Sequence, residues 1–552
     1  MPKMTPDPQP QPQPAAADAS AAKRSRRLIP GPWGSAIVIL CLVMIVIVRW
    51  IQPHVNLSLA DVNVASLVLS LVASVTLLVW FLRRSGYSAT LRRTVGWSLL
   101  VILLVLVAVL RIERVSGDLV PSFAWRWQAR PDRAIAPATA LGGLVDLSTT
   151  TEDDFPQFLG PERNAVLSDI HLQTDWERYP PRLLWRVDVG AAWSAFAAVN
   201  GYAVTMEQRG DQELVTCYEI ATGRLVWFHA ETTRHQTILG GVGPRSTPTI
   251  HEGRIYTLGA TGILLCLDGA TGQVLWRDDI LERQGLTPRQ DLQGIAWGRS
   301  ASPLIVDDLV VVPWGGPVAG NKVSLAAYDR QTGEVVWTGG EYQAAYASPT
   351  LTTLDGVRQI LSVNQDVVTS HDPATGSVLW QVPWPGNSTS NASVSQPVPL
   401  PDDQVLLSKG YGINAKMLQV RQRDTGRWSV EELWNAPRVL QTKYTNVVVL
   451  DQHAYALHDG ILQCVRLSDG RQQWRGGRYG QGQVLGVGRT LLVQAESGDI
   501  VLVAARPDGH EELASFPALQ GMTWNNPSLY GRYLLVRNAE QAACFELELT
   551  AP

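Results

Sequence analysis

Two patterns of hydrophobic residues divide the chain. Three nearly continuous apolar runs, at residues 35–48, 64–82 and 95–110, lie near the N-terminus. From about residue 154 onward, short apolar runs alternate with polar positions and are separated by Gly, Asp and Pro. Uncharged runs that approach twenty residues predict membrane-spanning helices, and short alternating runs bounded by turn residues predict β-strands. The sequence therefore predicts a membrane-embedded front end followed by an all-β domain.

A short motif recurs throughout the all-β part. The copy from Cys266 to Trp276 reads CLDGATGQVLW, and its Asp268 and Gly272 predict a tight turn in which the Gly adopts a positive φ. The Trp that ends each copy is placed to lie against the neighbouring unit and to bury a large apolar face there. The spacing of about 40 to 60 residues is typical of β-propeller blades. The predicted docking tryptophans are Trp185, Trp227, Trp276, Trp337, Trp380, Trp434 and Trp474.

The two ends of the repeat region carry complementary halves of one motif. Residues 544–549 form a first half without its Trp, and residues 183–188 form a second half without its beginning. Pairing them completes one blade and removes the exposed edges of an open array. With a degenerate copy in which Phe516 stands in for the Trp, the sequence predicts eight blades. Seven blades is the alternative if the Phe516 segment is a decorated loop.

Basic residues are distributed unevenly around the apolar runs. The segment between the first and second runs, residues 52–63, has no Lys or Arg. By the positive-inside rule, the N-terminus is cytoplasmic and the β domain is extracytoplasmic, or periplasmic, on an inner (cytoplasmic) membrane. The predicted domains are a disordered Pro/Gln-rich tail (1–31), a three-span anchor (32–112), a linker (113–153) and the propeller (154–552). The basic residues before the first run and between the second and third are Lys23, Arg24, Arg26, Arg27, Arg83, Arg84, Arg92 and Arg93.

Charge and cysteine usage exclude several classes of site. The formal net charge is −4, and no basic stripe is present, so nucleic acid is not a predicted partner. Four cysteines occupy the small position that opens the motif on different blades, which predicts buried thiols rather than disulfides. The sequence contains no Cys-x-x-Cys and no ligand-spaced histidines, so no metal site is predicted. The four repeat cysteines are Cys217, Cys266, Cys464 and Cys544.

The repeated motif resembles the tryptophan-docking repeat of the PQQ-like β-propeller family, and the segment from Asp154 to Pro161 resembles the opening segment of its members. The resemblance implies one of two activities. One branch of the family oxidises alcohols or sugars with pyrroloquinoline quinone (PQQ) and calcium. A second, BamB-like branch is non-catalytic. Because this chain lacks the adjacent cysteine pair of the typical dehydrogenases, we predict a binding or assembly module without cofactor; a PQQ-dependent dehydrogenase is the alternative.

Residues that immediately precede the innermost strands of a propeller line one mouth of its central funnel. In this chain they are rich in aromatic and guanidinium groups, which dominate contact energies at binding surfaces and suit a protein or glycan partner. The alternative is that they plug the funnel and satisfy buried backbone groups. The candidates are Trp193, Arg245, Trp297, Arg299, Tyr346, Trp524 and Asn525.

Overall fold

The computed structural model describes residues 29–52, 58–388, 391–423 and 426–550. The basic cluster at residues 23–27 and nearly all of the predicted N-terminal tail lie outside the described residues. The chain forms two compact units, one of Met1–Ile51 with Val64–Ala108 and one of Gln52–Asn63 with Val109–Pro552.

The first unit contains the apolar helices. In the described part of the chain, three helices are long and apolar enough to cross a membrane: α1 (Pro32–Ile51), α2 (Leu59–Arg84) and α3 (Ala89–Val109). Their apolar side chains are largely exposed, and α3 has no buried residue. Large exposed apolar surfaces on helices of this length are typical of membrane spans, which indicates a membrane anchor.

The second unit is a β-propeller. Within the described residues, seven four-stranded antiparallel sheets and one sheet with a fifth, parallel strand form its blades, so the eight-bladed prediction is confirmed. From the innermost strand outward, blade 1 contains Ala197–Val199, Tyr202–Arg209, Gln212–Glu219 and Leu225–Glu231; blade 2, Thr249–His251, Arg254–Leu258, Ile263–Asp268 and Val274–Asp279; blade 3, Leu304–Val306, Leu309–Gly315, Val323–Asp329 and Val335–Gly339; blade 4, Thr350–Leu354, Val357–Val363, Val367–His371 and Val378–Pro383.

The second half of the ring continues in the same order. Blade 5 contains Val398–Leu400, Gln404–Ser408, Ala415–Gln422 and Trp428–Ala436; blade 6, Val448–Leu450, His453–His458, Ile461–Arg466 and Gln472–Arg478; blade 7, Gln483–Val487, Thr490–Gln494, Asp499–Ala504 and Glu512–Pro517, with Val166–Leu167 added in parallel at its inner edge; blade 8, Ser528–Tyr530, Tyr533–Arg537, Gln541–Glu546 and Arg182–Asp188.

Blade 8 closes the ring as predicted. Its outermost strand, Arg182–Asp188, comes from the start of the propeller and pairs antiparallel with Gln541–Glu546 from the end, so that Cys544 lies opposite Trp185. The same small-residue-to-Trp pairing recurs in blades 1 to 4 and 6, for example Cys266 opposite Trp276. The composite blade therefore has the register of a continuous one and leaves no open sheet edge at the junction.

Six of the seven motif tryptophans lie on the turn of the next blade. Trp337 of blade 3 lies on the turn of blade 4, where a Cβ on Gly376 would come within 2.4 Å of the indole. Gly376 has a φ of 72°, and Asp372 accepts hydrogen bonds from the turn amides. The indole Nε1 donates to the Pro373 carbonyl oxygen over 3.0 Å. Equivalent bonds to the following turn are made by Trp185, Trp227, Trp276, Trp434 and Trp474.

Two blades depart from the predicted pattern. Trp380 donates to the Gln359 side chain of its own blade over 2.6 Å instead of to the turn of blade 5. The expectation that Phe516 takes the Trp position of blade 7 was wrong, because the residue opposite Leu502 at the motif's bulge is Ala514. Phe516 lies two residues further on and packs edge-to-face against Trp176, with a centroid distance of 5.2 Å.

The residues between α3 and the first blade belong to the second unit. Strands β1 (Leu110–Val115) and β2 (Pro121–Trp125) form an antiparallel hairpin, followed by a short helix at Pro131–Ala134. Val145 and Leu147 are buried in a cluster with residues of blades 1 and 2. A two-stranded hairpin of Gln236–Thr237 and Gly241–Val242 leaves blade 1, and short helices at Ile280–Gln284 and Pro288–Gly294 leave blade 2.

Candidate functional site

The leaders of the innermost strands are tied into a ring. In blades 2 to 4, a Ser or Thr precedes the Pro of the leader and links it to the next one: Thr247 N–H donates to Ser302 Oγ, and Ser302 N–H donates to Ser348 Oγ, both over 2.9 Å. In blade 5, Gln396 N–H donates to Asn446 Oδ1 of blade 6 over 2.9 Å. The Pro that follows has no N–H group. At the first position of a strand, this costs no hydrogen bond of the sheet. This ring fixes the preceding residues at one mouth of the funnel.

The opening segment of the propeller fills the centre of this ring. Arg163 is buried and donates through its guanidinium to the carbonyl oxygens of Ser302, Pro303 and Pro349 at 3.1–3.3 Å. Burial lowers the pKa of Arg163 to about 9. Phe158 of the same segment reaches the mouth and lines its cavity. The opening segment is therefore bound to the leaders of blades 3 and 4 and contributes an aromatic ring to the cavity wall.

The mouth holds a cavity of about 130 Å³. Five of the seven predicted candidates line it, and the remaining walls come from residues that the sequence pattern did not single out. The predicted lining residues are Trp193, Arg245, Trp297, Tyr346 and Trp524; the others are Phe158, Leu239, Gly240, Ser300, Ser348, Val394, Tyr444, Asn446, Gln483 and Asn526.

Arg299 and Asn525 instead support the scaffold, as the funnel-plugging alternative describes. Arg299 Nη2 donates to Asp291 Oδ1 over 2.7 Å in a buried ion pair, and its Nη1 donates to the Trp314 carbonyl over 2.7 Å. Asn525 Nδ2 donates to the Ser194 carbonyl over 2.7 Å and so joins blade 8 to blade 1. Their side chains satisfy buried backbone groups.

Aromatic rings form two opposing parts of the wall. On one side, Trp524 contacts both Trp193 and Tyr444, with centroid distances of 4.7 Å in each case. On the other, Trp297 stacks on Tyr346 at 5.1 Å with an interplanar angle of 23°. Such rings offer large, rigid contact area at low entropic cost.

Arg245 is held at the edge of the cavity by backbone oxygens. Its guanidinium donates to the carbonyls of Gly240 and Gly243, and Trp193 Nε1 donates to the same Gly240 oxygen over 2.8 Å. Burial lowers the pKa of Arg245 to about 10, so the group stays charged at neutral pH. The hairpin that carries these glycines exposes Leu239 beside the cavity and Ile238 at its tip.

Burial and the charge of Arg245 both shift the pKa values of two residues, Glu213 and His235. Burial raises the pKa of Glu213 to about 7, against the lowering effect of Arg245. Burial, followed by the charge of Arg245, lowers the pKa of His235 to about 2. Neither residue lines the cavity. At neutral pH, Arg245 therefore supplies the formal charge of the cavity wall.

Two of the missed lining residues, Asn446 and Gln483, share a signal. Asn446 and Gln483 occupy the leaders of blades 6 and 7, at or just before Val448–Leu450 and Gln483–Val487. Their leaders lack the Pro that precedes the innermost strands of blades 2 to 5 and 8. Gln483 Nε2 donates to the carbonyls of Tyr444 and Trp524 at 2.9 and 2.7 Å. Counting one leader per blade, rather than searching for Pro, would have located both residues.

The relation to known proteins is clear at the level of the family. A family profile described as outer membrane protein assembly factor BamB matches residues 181–476, more than half of the chain. The chain belongs to this family. The family includes both assembly factors and quinoprotein dehydrogenases. No curated protein matches the chain.

Solved structures similar to this BamB-family chain come from both kinds of protein. BamB from Moraxella catarrhalis is 13% identical, with a TM-score of 0.46, over 66% of this chain and 99% of its own. Quinohemoprotein alcohol dehydrogenase from Comamonas testosteroni is 13% identical, with a TM-score of 0.49, over 72% and 81%. Quinohemoprotein alcohol dehydrogenase ADHIIG from Pseudomonas putida HK5 is 14% identical, with a TM-score of 0.48, over 74% and 84%.

The dehydrogenases of this family imply PQQ and calcium, and the donor set at the mouth does not fit them. Calcium takes six to eight oxygen ligands, with carboxylates prominent among them, yet the cavity lining contains no Asp or Glu. Across the described residues, no group of three His, Cys, Asp or Glu could hold a metal ion. The cysteines are all free and buried, and none are adjacent in sequence to form the disulfide against which the quinone would stack.

Proposed function

We propose that this protein is a membrane-anchored, non-catalytic binding or assembly module whose funnel mouth holds a segment of a partner protein. The observation that carries the proposal is the cavity wall, in which aromatic rings surround Arg245 and no carboxylate is present. Aromatic and Arg side chains in desolvated pockets supply most of the energy of protein interfaces. The same wall contains no Asp, Glu, His or Cys, so it lacks carboxylate ligands for calcium and a side chain that ordinarily acts as a base near neutral pH.

The size and rim of the cavity favour a side chain over a cofactor. Pockets for drug-sized ligands measure roughly 300–1,000 Å³, whereas this cavity measures about 130 Å³. A volume of this size suits one large side chain. Ile238 and Leu239 extend the apolar surface outward from the cavity, and exposed apolar residues beside a pocket are typical of protein-binding surfaces. These features support a protein partner over the glycan that the sequence left open.

For the location, we propose that the N-terminus is cytoplasmic and the propeller extracytoplasmic, on the inner membrane of a bacterium. The support comes from Arg83 and Arg84 at the end of α2 and from Arg92 and Arg93 at the start of α3, because basic residues concentrate on the cytoplasmic side. Alkaline phosphatase and fluorescent-protein fusions after Thr150 test this orientation. We expect phosphatase activity without fluorescence; the opposite pattern would reverse the topology.

The competing function is a PQQ-dependent dehydrogenase, and a titration separates the two. The full chain, purified in detergent, is titrated with PQQ and calcium while absorbance and the reduction of an electron-acceptor dye are followed with a panel of alcohols and sugars. We expect neither saturable stoichiometric binding nor turnover. Tight binding with dye reduction would replace the binding-module proposal by the dehydrogenase.

A further inference from the structure

The hairpin of β1 and β2 has one entirely apolar face, and that face is exposed. Leu110 pairs with Trp125, and Ile112 pairs with Phe123, so the four side chains share a face of the two-stranded sheet. Ile112, Phe123 and Trp125 are 48–60% exposed. A hairpin on a water-soluble surface shows the opposite arrangement, with the apolar face inward and the polar face toward water.

The other face of the hairpin is polar and contacts the propeller. It carries the pairs Arg111 with Ala124 and Arg114 with Ser122. Arg114 forms an ion pair with Glu540, in the loop before the last strand of the chain. The hairpin therefore turns its charged face to the protein and its apolar face away from it.

The turn of the hairpin is fixed in place as well. Gly117 N–H donates to Glu496 Oε1 over 3.2 Å, and a Cβ on Gly117 would come within 2.1 Å of the Gln481 side chain. This close approach excludes any larger residue without a rearrangement. The hairpin is held at its turn and along its polar face. The exposure of its apolar face is therefore a property of the folded structure.

We propose that this apolar face, formed by Ile112, Phe123, Trp125 and the adjoining Trp127, lies in the headgroup region of the bilayer that α3 spans. Trp127 stacks on Trp125 with a centroid distance of 5.2 Å and an interplanar angle of 12°, and it is also exposed. Indole rings concentrate at this depth because they have an apolar body and a polar N–H. The surface is thus a lipid-binding belt.

Chain continuity identifies lipid as the occupant. Leu110 directly follows Val109, the last residue of α3. At about 3.3 Å per strand residue, Ile112 lies within about 10 Å of the end of the helix. Trp125 lies opposite Leu110, at a separation of about 5 Å. The headgroup layer on each side of a bilayer is about 5–8 Å deep, so the hairpin cannot leave it by more than a few ångströms if α3 spans the membrane.

Two constraints set the depth of the hairpin in the bilayer: the length of α3 and the unpaired edges of the hairpin. After Arg93, the uncharged residues 94–109 extend about 24 Å as a helix, which is shorter than the hydrocarbon core of about 30 Å. The bilayer therefore reaches the start of β1. Yet an open two-stranded sheet has unpaired N–H and C=O groups along its edges, which are not tolerated in hydrocarbon. The headgroup region satisfies both conditions.

Site-specific labelling of the full chain tests the proposal. Phe123→Cys and Trp125→Cys are labelled separately with an environment-sensitive fluorophore, since the native cysteines are all buried. The proteins are reconstituted into vesicles of phosphatidylethanolamine and phosphatidylglycerol with nitroxide-labelled lipids. Ser122→Cys, exposed on the polar face of the same strand, and Val336→Cys, exposed on the last strand of blade 3, are the matched controls.

We expect blue-shifted emission at positions 123 and 125, with strong quenching by nitroxides near the headgroup, weaker quenching at 122 and none at 336. The alternation between 122 and 123 is diagnostic of a strand lying on its apolar face. Equal quenching at 122 and 123, or none at either apolar position, would overturn the proposal. Energy transfer between labelled copies without lipid quenching would also overturn it and would assign the face to a second copy. Because 123 and 125 are separate variants, misfolding of one leaves the other informative.

Discussion

Trp524 Nε1 donates a hydrogen bond to Glu496 Oε1 over 3.0 Å, and this bond joins a wall of the funnel mouth to the juxtamembrane hairpin. The same carboxylate oxygen accepts the Gly117 N–H of the hairpin turn at 3.2 Å, and its partner oxygen accepts the Gln481 N–H at 2.9 Å. One half-buried side chain, Glu496, thus holds the candidate site and the hairpin turn in a fixed relation.

Replacing this carboxylate should loosen both elements together. In Glu496→Ala, the Gly117 and Gln481 amides and the Trp524 indole lose their acceptor, and each unpaired donor costs about 1–3 kcal/mol. We expect faster amide hydrogen exchange at Gly117 and Gln481, measured by mass spectrometry in detergent. Glu512→Ala, which removes an acceptor of the Tyr479 hydroxyl elsewhere on blade 7, should leave both segments unchanged. Unchanged exchange in Glu496→Ala would show that the two elements are held independently.

The docking of Trp337 on Gly376 can be separated from the backbone effect of a glycine. Gly376 and Gly356 have φ values of 72° and 74°, but a Cβ meets the indole only at Gly376, and nothing within 4 Å at Gly356. We expect Gly356→Ala to lower the free energy of unfolding by about 1–2 kcal/mol and Gly376→Ala by about 1–3 kcal/mol more, through overpacking. Denaturant unfolding measures both, and equal losses would mean that the Trp does not dock as described.

Ring closure predicts a loss of cooperativity on truncation. Ending the chain after Gln541 removes nearly all of Gln541–Glu546 and exposes an edge on each side of the gap, in Tyr533–Arg537 and Arg182–Asp188. We expect the single unfolding transition to disappear in differential scanning calorimetry. Truncation after Thr550, which keeps that strand, should melt like the full chain. A sharp, unshifted transition in the shorter protein would contradict closure by the two termini.

The buried Glu213 predicts a pH dependence of stability. Burial raises its pKa from the ordinary value of 4.5 to about 7, so the folded protein retains the proton at pH values where the unfolded chain has lost it. The contribution of Glu213 to the free energy of unfolding therefore falls as pH rises from about 4.5 to about 7 and is level above that. Glu213→Gln, a neutral replacement, should remove this slope. Identical slopes in the two proteins, measured by urea unfolding from pH 5 to 8, would contradict the burial argument.

Much of the propeller followed from local rules. Asp268, Gly272 and Trp276 each have a role that turn chemistry and ring size determine, so one copy of the motif predicts the others. The departures arise where a role depends on another segment. Ala514, rather than Phe516, takes the Trp position of blade 7 because the turn between its strands is longer, and Trp176, remote in sequence, packs on Phe516.

The candidate site was predictable by position but not by role. Trp193, Arg245 and Tyr346 precede innermost strands and line the cavity. Arg299 lies four residues before Pro303, and Asn525 lies two residues before Pro527. The lining residues Arg245, Tyr346 and Trp524 each lie three residues before the Pro of their leader. At their different offsets, Arg299 turns to Asp291 and Asn525 turns to backbone carbonyls. The apolar face of the β1–β2 hairpin could not be predicted from the sequence, because the register in which the two strands pair is seen only in the folded chain.

Photo-cross-linking from the rim of the funnel mouth tests whether this surface binds a partner protein. Leu239 lines the cavity and Leu275 lies on the last strand of blade 2, and both are 47% exposed. A photoreactive phenylalanine analogue is placed at each position in the full chain, in its native membrane. We expect a discrete protein adduct from position 239 and none from position 275. No adduct from position 239, or the same adducts from both positions, would contradict a partner-binding funnel mouth.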